Sequence, residues 1–315
     1  MPWMRRLPRK RRLLIGGILA LLGLALAACP RERSAVPAVP RRLISLAPNV
    51  TEILFALGLG ERVVGVGTYT FWPPAALAKP RVGGLIDPNL ERIATLHPDL
   101  AVLLPSEKDV ATKLAALGVE SLVVHDESLA EVEASIRTIA ERCGVPEAGS
   151  RLVARLRNGL RPRELPAGTP RPRVLLVVER TAGRLGELYA VGPGTFLDEL
   201  LRRLGGENVF ADAGSLYPPA SLEEIVARRP DVIVELRSTV PTPAEERALL
   251  ADWRPLAAVP AVSQNRVRIV AGSFALVPGP RLPELYRALA AALAPASPAL
   301  LPARREAPPP AAANP

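Results

Sequence analysis

Two histidines, His97 and His125, and two cysteines, Cys29 and Cys143, are the whole complement of imidazole and thiol groups in this 315-residue chain. Neither histidine has a second His or Cys at ligand spacing, so no protein-held metal centre is expected and both read as surface residues. No nucleophile sits with a base, and no two carboxylates are poised as an acid and base pair. Gly192-Pro193-Gly194 lacks the third glycine and the Lys-Ser/Thr ending of a phosphate loop. The side chains that remain point to binding and not to turnover. Only 4% of the chain is aromatic, yet Tyr69, Phe71 and Trp72 crowd within four positions beside Pro73-Pro74, and Tyr189, Tyr217 and Phe274 fall at loop positions further on. If each lies at the carboxyl end of a sheet and two sheets face each other, they line a cleft for a large, flat, partly apolar ligand. Helix N-termini at Asn49 and Thr195 would turn positive dipole ends toward any phosphate or carboxylate on it.

Two further carboxylates stand out because the chain repeats itself around them. Asn89-Leu90-Glu91-Arg92-Ile93 runs through His97-Pro98-Asp99 into the apolar Leu100 to Leu104. A single offset without a gap superimposes it on Ser221-Leu222-Glu223-Glu224-Ile225, then Arg229-Pro230-Asp231, then Val232-Ile233-Val234. Each copy reads as a short helix capped by Asn or Ser, stopped before a Pro and followed by a buried strand. Two lobes of similar build are therefore expected, each with a Glu at the start of the same helix.

The elements that must position these residues alternate between strand and helix in short steps. That predicts an α/β fold of two open, mostly parallel sheets covered by helices. The first lobe, 41–146, opens with an apolar strand at Leu43–Leu46. A helix follows whose start is read as a capping box of Asn49 and Glu52, closed by Gly58. Later it holds strands at Val63–Val66, Leu100–Leu104 and Ser121–Val124, and helices from Lys108 to Leu117 and from Leu129 to Cys143. Leu152, Val153, Leu156 and Leu160 recur at helical spacing within 147–163, a single helix joining the lobes. The second lobe, 171–294, takes in the strand Arg173–Val178, a helix from Thr195, the second repeat copy, the strand Arg266–Val270 and a last helix from Leu282 to Leu293.

The formal charge of +9 invites a nucleic-acid partner, but Arg5, Arg6, Arg9, Lys10, Arg11 and Arg12 supply six of those charges ahead of one uncharged apolar run, Leu13 to Ala28. No basic stripe is left beyond it, and nucleic acid is excluded. Basic residues, a short apolar run and small residues make 1–28 a signal peptide. The run ends Leu26-Ala27-Ala28-Cys29, which resembles the lipobox of bacterial lipoproteins, and that resemblance makes Cys29 the acylated first residue of a chain anchored to a membrane and not spanning it. Residues 29–40 then form a tether. Cys143 is left without a disulfide partner and sits in a helical apolar pattern as a buried small residue. The Ala/Pro-rich 295–315 reads as a disordered tail.

In this order, several segments resemble the class III periplasmic substrate-binding proteins of bacterial ABC importers, which carry cobalamin, haem and iron-siderophore chelates. They are RRLISLAPNVTEILFALGLGERVVGV, YTFWPP, PRVGGLIDPNLERIATLHPDL, LGGENVF, SLEEIVARRPDVIV and GPRLPE. Tyr69 with Pro73-Pro74, and Asn89 to Ile93, are most similar to the cobalamin-binding branch. The resemblance implies two α/β lobes joined by one long helix, and a monomer that delivers its ligand to a membrane permease. Glu91 and Glu223 would dock arginines of that permease. Tyr69, Trp72, Tyr189, Tyr217 and Phe274 would contact the ligand, a corrinoid or other metal chelate that is cargo and not a catalytic cofactor. Leu85 and Leu104 stand where the cobalamin branch often has tryptophan, and Ser273 where an acid can occur. Haem held by a tyrosinate, or a siderophore held by Arg180, Arg184 or Arg281, is the alternative cargo. An enzyme acting on a tetrapyrrole or chelate in the cleft, and a surface lipoprotein serving as an interaction scaffold, are the alternatives of other classes.

Overall fold

The computed structural model describes residues 38–294 apart from Leu85, residues 106–109, Ala167, Glu179 and Glu187. The expected leader, Cys29, most of the tether, the start of the helix at Lys108 and the tail 295–315 lie outside the described residues. All elements below belong to the compact unit that begins at Pro40.

The first sheet is wholly parallel. It contains β1 (Leu43–Ser45), β2 (Val63–Val66), β3 (Leu100–Leu103) and β4 (Glu120–Val123) in the order β2-β1-β3-β4. Its helices are α1 (Pro48–Ala56), α2 (Leu90–Thr95), α3 (Val110–Ala116) and α4 (Leu129–Arg142). Strands covered on both sides need apolar residues throughout, and β1 and β3 are buried at every position. The second sheet is mixed. Its strands are β5 (Arg173–Val178), β6 (Leu188–Ala190), β7 (Glu207–Asn208), β8 (Pro219–Ala220), β9 (Val232–Arg237) and β10 (Val267–Ala271). They run β10-β9-β5-β6-β8, with β7 paired to β5; β6 is antiparallel to both its neighbours and the remaining pairs are parallel. Its helices are α6 (Phe196–Arg203), α7 (Leu222–Arg228), α8 (Pro243–Ala251), α9 (Pro260–Ser263) and α10 (Leu282–Leu293).

Between the sheets runs α5 (Pro146–Gly159), which buries Leu152, Val153 and Leu156. Its glycines let backbones approach closely. A Cβ on Gly149 would stand 2.5 Å from the Ala140 Cβ of α4, and one on Gly159 would stand 2.7 Å from Pro283 of α10. The helix is thereby clamped between an element of each lobe, and a single apolar cluster runs from Leu43 and Leu100 through Leu152 and Leu156 to Val174, Val232 and Leu285.

The internal repeat is built as a strand-end buckle. Asp99 Oδ2 accepts the backbone N–H of Arg41 and Arg42 at 2.7 and 2.9 Å, and the Arg42 guanidinium donates to the Leu96 and His97 carbonyls that end α2. In the second copy Asp231 Oδ2 accepts the Arg173 N–H at 2.9 Å and the Arg173 guanidinium donates to the Arg228 carbonyl. His97 and Arg229 occupy equivalent positions and both take a left-handed turn, with φ of 44° and 49°. Each residue precedes a proline, so the chain leaves the helix there.

One local expectation is corrected. α1 begins at Pro48 with Ala47 as a side-chain-free cap, so Asn49 and Glu52 form no capping box. Proline at the first helical position has its φ preset and no N–H to satisfy, which starts the helix without help. Both polar side chains are released for use elsewhere.

Candidate ligand-binding cleft

The two lobes meet along a seam made by the residues that follow strand ends. From the first lobe, Glu127 offers its carbonyl to the Phe196 N–H at 2.6 Å, and Leu129 N–H donates to Glu199 Oε1 at 3.1 Å. The first turn of α6 is thus occupied by a carbonyl of the other lobe, and the expectation that Thr195 marks a helix end open to a ligand anion is overturned. Thr195 itself is buried and caps α6 by accepting from the Asp198 N–H. From α1, Glu52 is 4% exposed and grips Arg281 at the start of α10: Arg281 Nε to Glu52 Oε2 is 3.0 Å, and Nη2 bonds Oε1. Arg281 also donates to the Ser273 hydroxyl and carbonyl, and its guanidinium lies 5.1 Å from the Trp72 ring centre. Burial outweighs the arginine and holds the Glu52 carboxyl above the usual range.

Beside the seam is a cavity of about 350 Å³ lined by Val178, Tyr189, Phe196, Leu197, Tyr217 and Leu276. Tyr189 lies within β6 and not in a loop, because Leu188 and Ala190 alternate inward around it and it pairs with Val178 across the strand. Tyr189 and Tyr217 are 51% and 39% exposed, a large apolar surface left facing solvent. Burial, with the nearby carboxylates of Asp126 and Glu127, pushes the Tyr217 hydroxyl up to about 12.

The structure brings some expected ligand residues together and leaves others apart. Tyr189 and Tyr217 share the cavity; Trp72 joins the seam through Arg281. Tyr69 and Phe71 stand on the same loop as Trp72, 67% and 61% exposed. Phe274 is half-buried with its ring over Gly272 and against the main core, and Leu276 takes its place in the cavity wall. Of the arginines offered as anion receptors, Arg180 is wholly buried and bonds Glu235, Asp252 and the Leu249 carbonyl, while Arg281 is spent on Glu52 and Ser273. Arg184 is exposed, and its carbonyl faces Arg180. Among the described residues no group of three His, Cys, Asp or Glu could hold a metal ion, and no helix is long and apolar enough to cross a membrane.

Glu91 and Glu223 are both exposed at the second positions of α2 and α7. The capping of α7 is carried by the neighbouring Glu224, whose Oε2 accepts the Ser221 N–H, and α2 is capped by Asn89. Neither Glu91 nor Glu223 is therefore engaged in its own helix cap.

Residues 43–272 match the periplasmic binding protein family. The chain belongs to that family. Among relatives, it is 32% identical over 204 residues to the vitamin B12-binding protein of Vibrio cholerae, spanning 63% of this chain and 71% of that one. It is 30% identical over 261 residues, 81% of each chain, to an uncharacterized ABC transporter substrate-binding lipoprotein of Bacillus subtilis. Among solved structures, the periplasmic heme-binding protein RhuT of Roseiflexus sp. RS-1 superimposes with a TM-score of 0.66 at 29% identity, covering 80% of this chain and 97% of that one. The periplasmic vitamin B12 binding protein BtuF of Vibrio cholerae does so with a TM-score of 0.66 at 27% identity, covering 81% and 96%. Two lobes joined by α5 are thus the architecture of a binding protein, as the resemblance implied. Asp126, which accepts from Asn49 Nδ2 at 2.8 Å beside the seam, escaped sequence reasoning: a single Asp after a strand carries no periodic signal.

Proposed function

We propose that this chain is the extracytoplasmic substrate-binding component of an ABC importer. In this reading it is held to the membrane by lipid on Cys29, acts as a monomer, and carries a corrinoid to a permease. The observation that carries the proposal is the aromatic cavity of the second lobe, with Tyr189 and Tyr217 left exposed on it, beside the seam where Glu127 and Glu52 of the first lobe bond Phe196 and Arg281 of the second. Relatives named for vitamin B12 and for heme support a tetrapyrrole-like chelate as cargo. Glu91 and Glu223, exposed and free of cap duty, would meet cationic side chains of a two-fold partner and fix its register. Titration of purified mature protein with cyanocobalamin, haemin and ferric hydroxamates, followed by ligand absorbance, tests the reading. Saturable binding of cyanocobalamin is expected; no spectral change with any of the three defeats it.

A further inference from the structure

One carboxylate beside the aromatic cavity is placed to decide which chelates the cleft accepts. Asp126 follows β4, and its Oδ2 accepts a hydrogen bond from Nδ2 of the buried Asn49 at 2.8 Å. The carbonyl of the next residue, Glu127, is the one that holds Phe196 N–H, and Phe196 lines the cavity. Asp126 is thus fixed by one lobe and adjoins the cavity wall of the other. Resting on the binding-protein reading of this cleft, we infer that Asp126 is a specificity-determining residue whose carboxylate accepts N–H donors of a neutral, amide-bearing chelate and repels chelates that present carboxylates.

Three features of the site carry this. Among the described residues Asn49 bonds one oxygen of the carboxylate, and an ionised carboxylate has about four acceptor positions, so acceptor capacity remains for a ligand donor. Among the described residues the cavity lining contains no cation, and two of the three arginines considered as anion receptors, Arg281 and Arg180, are neutralised by Glu52, Glu235 and Asp252. A ligand carboxylate entering here meets the phenol hydroxyls of Tyr189 and Tyr217 as donors but no cation to balance its charge. Finally, the local field is negative. Glu127 and Glu131 lie on Asp126's own segment beside His125, the second lobe presents Tyr217, and α1 presents the uncharged Asn49 with Glu52 already bound to Arg281. Burial first, then Glu127 and Glu131, push the Asp126 carboxyl up to about 6. Above that pH it is an acceptor only; below it, the repulsion is gone.

The test uses mature protein and three probes: cyanocobalamin, its monocarboxylate with one peripheral amide hydrolysed, and haemin, each titrated on both sides of the carboxyl's own value of about 6. Above it, wild type should prefer cyanocobalamin to either carboxylate-bearing probe by about tenfold, the worth of one charge-assisted hydrogen bond. Below it, the preference should shrink. Asp126→Asn keeps the shape and can still accept from Asn49, so folding is preserved; it should close most of the gap and abolish the pH dependence. An unchanged preference in Asp126→Asn, or tighter binding of haemin than of cyanocobalamin by wild type above that pH, overturns the inference while leaving a chelate-binding protein. Failure to bind any of the three overturns the chelate reading and this inference with it.

Discussion

Replacing Arg281 by methionine probes the bond that closes the seam. Its guanidinium is 10% exposed and the Glu52 side chain 3%, so the pair is desolvated on both sides. Removing one member of such a pair strands a buried charge and costs roughly 3–5 kcal/mol. Loss of the guanidinium from above Trp72 adds about 0.5–1 kcal/mol. Against a total stability of roughly 5–15 kcal/mol that is a large fraction. At about 2–4 °C per kcal/mol for a chain of this size, the midpoint of thermal unfolding should fall by on the order of 10 °C. The cost has a pH signature. Glu52 is already raised by burial, and without Arg281 it rises further, so protonation relieves the stranded charge and the penalty must diminish as pH falls through the carboxylate range. Replacing Glu52 by glutamine alongside Arg281→Met removes the charge altogether, and the double variant should be less damaged than the sum of the single ones. Urea and thermal unfolding of wild type, the two single variants and the double variant, followed by circular dichroism across the carboxylate pH range, measure all of this. A loss under about 1 kcal/mol in Arg281→Met, or additive losses in the double variant, would refute a desolvated interlobe pair.

Asp126→Asn should stabilise the unliganded protein above the carboxyl's value of about 6, by about 1–2 kcal/mol after allowance for partial exposure. The sign follows from a raised carboxyl: its favourable contribution is complete below the unfolded value and is lost as pH rises through about 6, so the gain must vanish in acid, as denaturation at the two extremes will show. Reversing charge at Glu91 and Glu223 together should abolish ligand uptake by cells while leaving the affinity of the purified protein within about twofold, since neither residue touches the cavity. Gly149→Val drives a side chain into Ala140 and should cost about 1–3 kcal/mol by thermal denaturation, whereas the same change at exposed Ser150 should cost under about 1 kcal/mol. Ser128→Ala removes a complete capping box from α4 and should cost about 1 kcal/mol.

Much of this architecture was legible because its signals are local and periodic. The repeat around Glu91 and Glu223 predicted two capped helices running into buried strands, and α2, β3, α7 and β9 are those elements. Continuous apolar runs marked β5, and the last helix was read with its observed bounds, Leu282–Leu293. What escaped was of two kinds. β6 and β8 are three and two residues long, too short for an alternation to register, so Tyr189 passed for a loop residue. The seam was hidden for a different reason: Glu52 and Arg281 meet across 229 residues, and local rules assigned Glu52 to a capping box that proline made unnecessary. A side chain offered two partners takes the one that relieves the greater burial cost, and that choice is not written in spacing.

The close fit of Gly149 and Gly159 on α5 has a mechanical consequence. Contacts of 2.5 and 2.7 Å to a virtual Cβ leave no spare volume on either flank of the rod, so any side chain added at these two positions must be absorbed by a displacement of α4 or α10. One helix therefore carries a steric record of both lobes, and a change at a single α5 glycine is felt in whichever lobe it faces.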